Sequence, residues 1–88
     1  MNTGIFSGAE LGAAFKADRR ALNRSQQWVA DRVGCRRQTI ADLEAGKNVE
    51  VYTLLAALAA LDKGLAIIDS RLELDRIRSA LDEHDRED

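Results

Sequence analysis

The stretch Ser25-Gln26-Gln27-Trp28-Val29-Ala30-Asp31-Arg32-Val33-Gly34-Cys35-Arg36-Arg37-Gln38-Thr39-Ile40-Ala41-Asp42-Leu43-Glu44-Ala45-Gly46 decides how this chain folds. Ser25 is a preferred N-cap type, because its oxygen accepts from an otherwise orphaned amide of the first turn. Trp28, Val29 and Val33 supply the apolar side of the helix that follows, Gln26 to Val33. Gly34 stands where a left-handed residue ends a helix. A second helix is predicted almost at once, Arg36 to Ala45, with Ile40 and Leu43 inward and Gly46 closing it. Two short helices thus meet across a tight glycine turn.

That outline is a helix-turn-helix, and the flanks extend it. Ser7-Gly8-Ala9-Glu10 reads as a capping box opening a helix that runs to about Leu22. Leu11, Ala14, Phe15 and Leu22 form its inner face, and Asn23 is a left-handed stop. A fourth helix is predicted over Val51 to Leu61, with Val51, Leu54, Leu55, Leu58 and Leu61 on one stripe, broken by Asp62-Lys63-Gly64. Leu65-Ala66-Ile67-Ile68 is short and Ile-rich and predicts a strand, which cannot be stable without a partner. Ser70-Arg71-Leu72-Glu73 is a second capping box, followed by Leu74, Ile77 and Leu81 at helical spacing. The expected fold is therefore all-α: four core helices over residues 1–62, a strand within 63–69, and an acidic C-terminal helix and tail over 70–88.

Eighty-eight residues suffice for one small domain, and 45% apolar with 32% charged residues is globular rather than disordered composition. A core this small usually needs a metal, disulfides or a partner subunit for support. The lone Cys35 excludes an intrachain disulfide, and no His/Cys cluster offers a metal or cofactor site. Self-association is the support that remains. No apolar run approaches the roughly 18 residues of a membrane helix, and the first ten residues lack a signal-peptide pattern. A cytoplasmic protein with no membrane partner is expected. The net charge of -2 argues against nucleic acid, but its distribution argues for it. From Asp69 onward there are eight acidic and four basic residues, whereas the window Arg19 to Lys47 holds seven basic residues against Asp31, Asp42 and Glu44.

Ser25-Gln26, Ala30, Gly34, Thr39-Ile40, Leu43-Glu44 and Gly46-Lys47 fall at the spacing of the phage-repressor, or Xre-type, helix-turn-helix family, which the chain resembles over roughly residues 9–62. The short linker Asn48-Val49-Glu50, the leucine-rich fourth helix and the apolar segment after Gly64 look most like HipB-type antitoxins. Asn23, Arg24 and Glu50 depart from the family pattern, which has Gly, an apolar residue and Ser/Thr there, and the segment after Asp69 matches no family pattern. The resemblance implies a homodimer whose C-terminal strands pair, joined through Leu65 and Ile67 or through the alternate pair Ala66 and Ile68. It further implies repression of its own operon and binding of a HipA-like kinase toxin. It also implies a partly buried ion pair between Arg19 and Glu44, and a DNA phosphate at the helix N-terminus formed by Ser25 and Gln26, with Gln26 as its clamp.

Base reading falls to the outward face of the recognition helix. At 100° per residue, Arg37, Gln38, Ala41 and Ala45 lie opposite Ile40 and Leu43, with Asp42 at the edge. Arg on guanine and Gln on adenine are the favoured major-groove pairings, so Arg37 and Gln38 are the candidate readers. Ala41 lets the helix approach the groove. Asp42 either accepts from a cytosine amine or, as we prefer, orients Gln38 or an arginine, since an acid facing DNA costs affinity. Arg36 is assigned to phosphate. Lys47 and Asn48 read equally as backbone contacts or as a charged loop. Trp28 is expected in the core or at its rim. Cys35 is expected as a packed thiol, the alternative being a reactive thiol with a pKa lowered by its neighbouring arginines.

No Gly-rich phosphate loop, catalytic triad or metal spacing is present, so an enzyme is not expected. The expected function is a sequence-specific transcriptional repressor on double-stranded operator DNA, acting as the antitoxin of a toxin-antitoxin module. The alternative is a stand-alone phage-type or restriction-modification controller regulator without a toxin, and a third reading is an interaction module that has lost DNA binding. Leu74, Ile77 and Leu81 either dock a toxin, as a helix in a groove, or pack on the protein's own dimer.

Overall fold

Ser7 opens the first helix as its sequence requires: Oγ accepts from the Glu10 amide at 3.1 Å, while Glu10 Oε1 reaches back to the Phe6 amide at 2.9 Å. The computed structural model describes residues 4–69; the expectations for the C-terminal helix with Leu74, Ile77 and Leu81 lie outside the described residues. Helix α1 spans Gly8–Ala21, α2 Gln26–Val33, α3 Arg37–Glu44 and α4 Val51–Ala60. Asn23 takes the left-handed conformation (φ 57°) that turns the chain from α1 toward α2. Ser25 caps α2 by accepting from the Trp28 amide at 2.9 Å. Gly34 ends it at φ 83°, its amide donating to Ala30 O. A side chain there would add left-handed strain, typically ~1–2 kcal/mol.

Helix α3 begins one residue later than the sequence suggests. Arg36 is extended (φ -78°, ψ 150°) and occupies the N-cap position, with no side-chain capping bond. It therefore belongs to the turn rather than to the recognition helix. Glu50 likewise precedes α4 without capping it.

All four helices contribute to one core: Phe15, Val29, Ala30, Ile40, Leu43, Ala57, Leu58 and the C-cap Leu61 are buried. Each large side chain so buried contributes roughly 1.5–3 kcal/mol. Three expected core positions are corrected. Leu22 is 47% exposed, because α1 ends there and the buried place one turn earlier is taken by Arg19. Val51 and Leu55 are also exposed, so α4 turns Ala57, Leu58 and Leu61 inward and leaves part of the predicted stripe on the surface.

The frame closes through backbone as well as side chains. A Cβ on the buried Gly12 would lie 2.5 Å from Leu43 O and 2.6 Å from Glu44 O, so α1 rests directly on the end of α3. This close approach demands glycine and was not anticipated from the sequence.

Residues 63–69 form neither helix nor strand in the single chain. The strand expected at 65–68 is accordingly absent from the described fold. Its ladder needs a second strand, and among the described residues there is none. Ile68 packs over Gly4 beside Phe6, which brings the two ends of the described segment together.

Candidate nucleic-acid interface

The recognition face is built from the inside outward. Ile40 and Leu43 anchor α3 in the core, and this leaves Arg37 and Gln38 exposed on its outer side, with Ala41 and Asp42 half-buried beside them. Ser25, Arg36, Lys47 and Asn48 are exposed as well, around the same helix pair. The nine residues assigned to DNA from the sequence thus all belong to α2, α3 and their bounding turns.

Their mutual contacts refine the assigned roles. Gln38 Nε2 donates to Asp42 Oδ1 at 2.9 Å, one helical turn away, the arrangement expected of an acid that orients its neighbour. Lys47 Nζ lies 4.0 Å from the same Asp42 oxygen. Lys47 is exposed and the contact is long, so it contributes little to stability, but its charge partly offsets that of the Asp42 carboxylate. The Lys47 amide also donates to Asp42 O, tying the following loop to α3.

Arg19 and Glu44 form the ion pair that the resemblance implied. Arg19 Nε donates to Glu44 Oε2 at 2.5 Å and Nη2 to Oε1 at 3.1 Å. Arg19 Nη1 meanwhile donates to Arg24 O at 2.7 Å, so one guanidinium joins α1, the α1–α2 turn and α3. The two side chains are 9% and 4% exposed. Burial pushes the Glu44 carboxyl up, but hydrogen bonds from Arg19 and Gln26 and the charges of Arg19 and Lys16 outweigh it and hold the group below its ordinary value.

The Gln26 side chain has two partners within the chain. Its Nε2 donates to Glu44 Oε1 at 3.0 Å, and its Oε1 accepts from Arg37 Nη1 at 2.9 Å. The side chain therefore bridges the ion pair to the candidate base reader.

A second feature was not foreseen. The Trp28 ring, half-buried against the core, is approached by Arg24 at 4.3 Å and Arg32 at 4.4 Å from its centroid. Cation–π stacking of this kind orders both guanidiniums. The i, i+4 spacing of Trp28 and Arg32 within α2 is the signal the sequence offers for one of the two contacts.

Cys35 is half-buried, in a groove lined by Thr39, Asp42, Asn48, Glu50 and Thr53. Burial pushes its thiol up, against a smaller opposing effect from a backbone hydrogen bond. The direction runs against the lowered-pKa alternative and agrees with a packed thiol. Leu65, Ile67 and Ile68 are exposed by 55%, 102% and 47%. Leu65 lines an open apolar groove with Ile5, Phe6, Leu11 and Leu54. Among the described residues no group of His, Cys, Asp and Glu could hold a metal, and no helix is long and apolar enough to cross a membrane.

A capped α2, a left-handed glycine and an α3 presenting polar residues outward define the class: a helix-turn-helix protein. The helix-turn-helix domain family matches residues 10–66, and the chain belongs to it. Among solved structures it is similar to a HipB–O4 20mer complex and a HipA–HipB–O2–O3 complex. Each shows 24% identity and a TM-score of 0.73, over 78% of this chain and 99% of the other. A HipB–O1–O2 complex is similar at 25% identity and a TM-score of 0.71, covering 77% of this chain and 100% of that one. No curated protein sequence matches significantly.

Proposed function

We propose that this chain is a cytoplasmic, non-enzymatic transcriptional repressor that binds operator DNA as a homodimer and serves as the antitoxin of a HipA-like kinase toxin. One observation carries the DNA-binding part. Arg37 and Gln38 are exposed on the outer side of α3 and individually oriented, by Gln26 and Asp42 respectively. Oriented donors of these types are what major-groove reading requires. Two such helices, one per protomer, would enter successive major grooves about 34 Å apart.

The dimer is supported by the exposed Leu65, Ile67 and Ile68 beside the apolar groove, an uncovered surface of the kind that marks an interaction site. The antitoxin part is supported by the fold shared with HipB in a solved complex that also contains HipA. Co-expression with the neighbouring gene product, followed by light scattering, tests it. A stable complex with a kinase-sized neighbour supports the antitoxin, and a bare dimer argues for a stand-alone repressor. For the DNA part, Arg37→Ala should weaken specific operator binding and leave the dimer intact. Equal operator affinity of variant and parent would refute it.

A further inference from the structure

Arg24, Trp28 and Arg32 form a charged platform outside the outer face of α3. The Trp28 ring is half-buried against the core, and both guanidiniums lie over it, at 4.3 Å and 4.4 Å from its centroid. The platform is anchored from below. The Arg24 amide donates to Arg19 O at 3.1 Å, and Arg24 O accepts from Arg19 Nη1 at 2.7 Å, so its main chain is tied twice to the residue of the buried ion pair. Arg32 stands in the last turn of α2. Among the described residues neither guanidinium has a carboxylate or other acceptor in hydrogen-bond contact, and the adjacent Asp31 is engaged by Gln27 Nε2 at 2.7 Å. Two like charges are thus held side by side on one ring with nothing opposing them. Each keeps its planar fork of donors for a carboxylate.

The chain itself carries the complementary charge. Asp82-Glu83-His84-Asp85-Arg86-Glu87-Asp88 holds five carboxylates against one arginine. Asp82 follows Asp69, the last described residue, by thirteen positions. That length spans up to about 45 Å, whereas a domain of this size is roughly 28 Å across, so the segment can reach α2. We propose that the platform of Arg24, Trp28 and Arg32 is the docking surface for the chain's own acidic C-terminal segment, residues 82–88, whose carboxylates pair with the two guanidiniums. Tethering makes the encounter intramolecular, with an effective concentration in the millimolar range, so weak exposed pairs suffice. Because Arg24 directly precedes Ser25 and Gln26, the docked segment sets negative charge beside the α2 N-terminus. On the DNA-binding reading it competes there with phosphate, and the charge asymmetry of the chain restrains its binding to DNA. The docking itself does not depend on that reading.

Trp28 is the one tryptophan, so its emission reports on the platform. The full-length parent is compared with a full-length variant whose segment is neutralised by Asp82→Asn, Glu83→Gln, Asp85→Asn, Glu87→Gln and Asp88→Asn. Raising salt from about 0.01 M to 1 M, which shortens the screening length from roughly 30 to 3 Å, should shift the Trp28 emission of the parent and barely move that of the variant. A peptide of residues 82–88 added to the neutralised variant should restore the parent's low-salt emission saturably. Adding Arg24→Gln and Arg32→Gln should abolish that response. Neutralising the segment should also raise operator affinity at low salt by roughly 2- to 30-fold, the range expected of two exposed ion pairs.

Identical emission and salt response in parent and neutralised variant overturn the docking. So does a peptide that binds equally well with and without the two arginines, since the basic face in general is then its target. A difference that fades on dilution overturns the intramolecular contact. If Arg24→Gln and Arg32→Gln weaken a DNA duplex by the same factor whether or not the segment is charged, the platform is a phosphate contact and the docking is again overturned. Docking seen by emission in a chain that binds no duplex supports the proposal and refutes only the DNA-binding reading, which separates the two failures.

Discussion

Removing Arg19 by Arg19→Ala offers the sharpest test of how the frame is held. The guanidinium makes three hydrogen bonds, two to Glu44 and one to Arg24 O, and both ionic side chains are less than one-tenth exposed. Its loss leaves Glu44 with the single donor Gln26 in a site that water reaches poorly. Breaking one side of such a pair typically costs ~3–5 kcal/mol, mostly the penalty of stranding the remaining charge. A chain of this size has a total stability of about 4–13 kcal/mol, so the variant should lie near its unfolding threshold. Urea unfolding followed by the emission of Trp28, the one tryptophan, measures the change directly. The double variant Arg19→Met, Glu44→Leu should recover most of the loss, since a well-packed apolar pair can replace a buried ionic one.

The same pair predicts a pH dependence. The Glu44 carboxyl is held below its ordinary value of 4.5 in the folded state. The stabilisation it brings is fully present above that value and disappears as pH falls through the lower folded pKa. The parent should therefore lose more stability than Glu44→Gln between neutral pH and about pH 3. An Arg19→Ala cost below about 1 kcal/mol, the range of an exposed pair, would refute this account.

Three further outcomes are expected. Gly12→Ala drives a methyl into Leu43 O and Glu44 O, which must separate α1 from α3. A loss of ~1–3 kcal/mol by thermal unfolding is expected, and unchanged stability would contradict the close approach. Ser25→Ala removes the acceptor for the Trp28 amide and should cost about 1 kcal/mol, again read by urea unfolding. Ile67→Asp places a charge on a fully exposed apolar position; it should leave the monomer fold intact by circular dichroism and give monomers by light scattering. A fully dimeric variant would place the seam elsewhere.

Much of this architecture was legible because its determinants are local. Ser7, Ser25, Asn23 and Gly34 each act within a few residues of themselves, and each is found in its expected role. The inward Ile40 and Leu43 follow from helical period alone. What escaped the sequence depends on distance. Gly12 sits in a helix interior, where glycine reads as a weakness of about 1 kcal/mol, until α3 is seen against it. Gln26 looks like an exposed polar residue after a cap, and only the packing of α2 against α3 brings residues 18 positions apart into hydrogen-bond contact. Arg36 was counted into α3 by its place before the apolar pattern, yet with no capping side chain nothing local marks that boundary. The segment 65–68 has a strand's composition, and a strand is completed by a neighbour that a single chain does not contain.

The direct contact of α1 with the end of α3 at Gly12 separates two duties that many folds leave entangled. The placement of the recognition helix is set by main chain against main chain, by Ile40 and Leu43 and by the Arg19–Glu44 pair, none of which belongs to its outer face. The exposed Arg37 and Gln38 can then be exchanged with little effect on the scaffold that presents them. On the proposed DNA-binding reading, the target sequence can then change one outer-face substitution at a time while the chain remains folded.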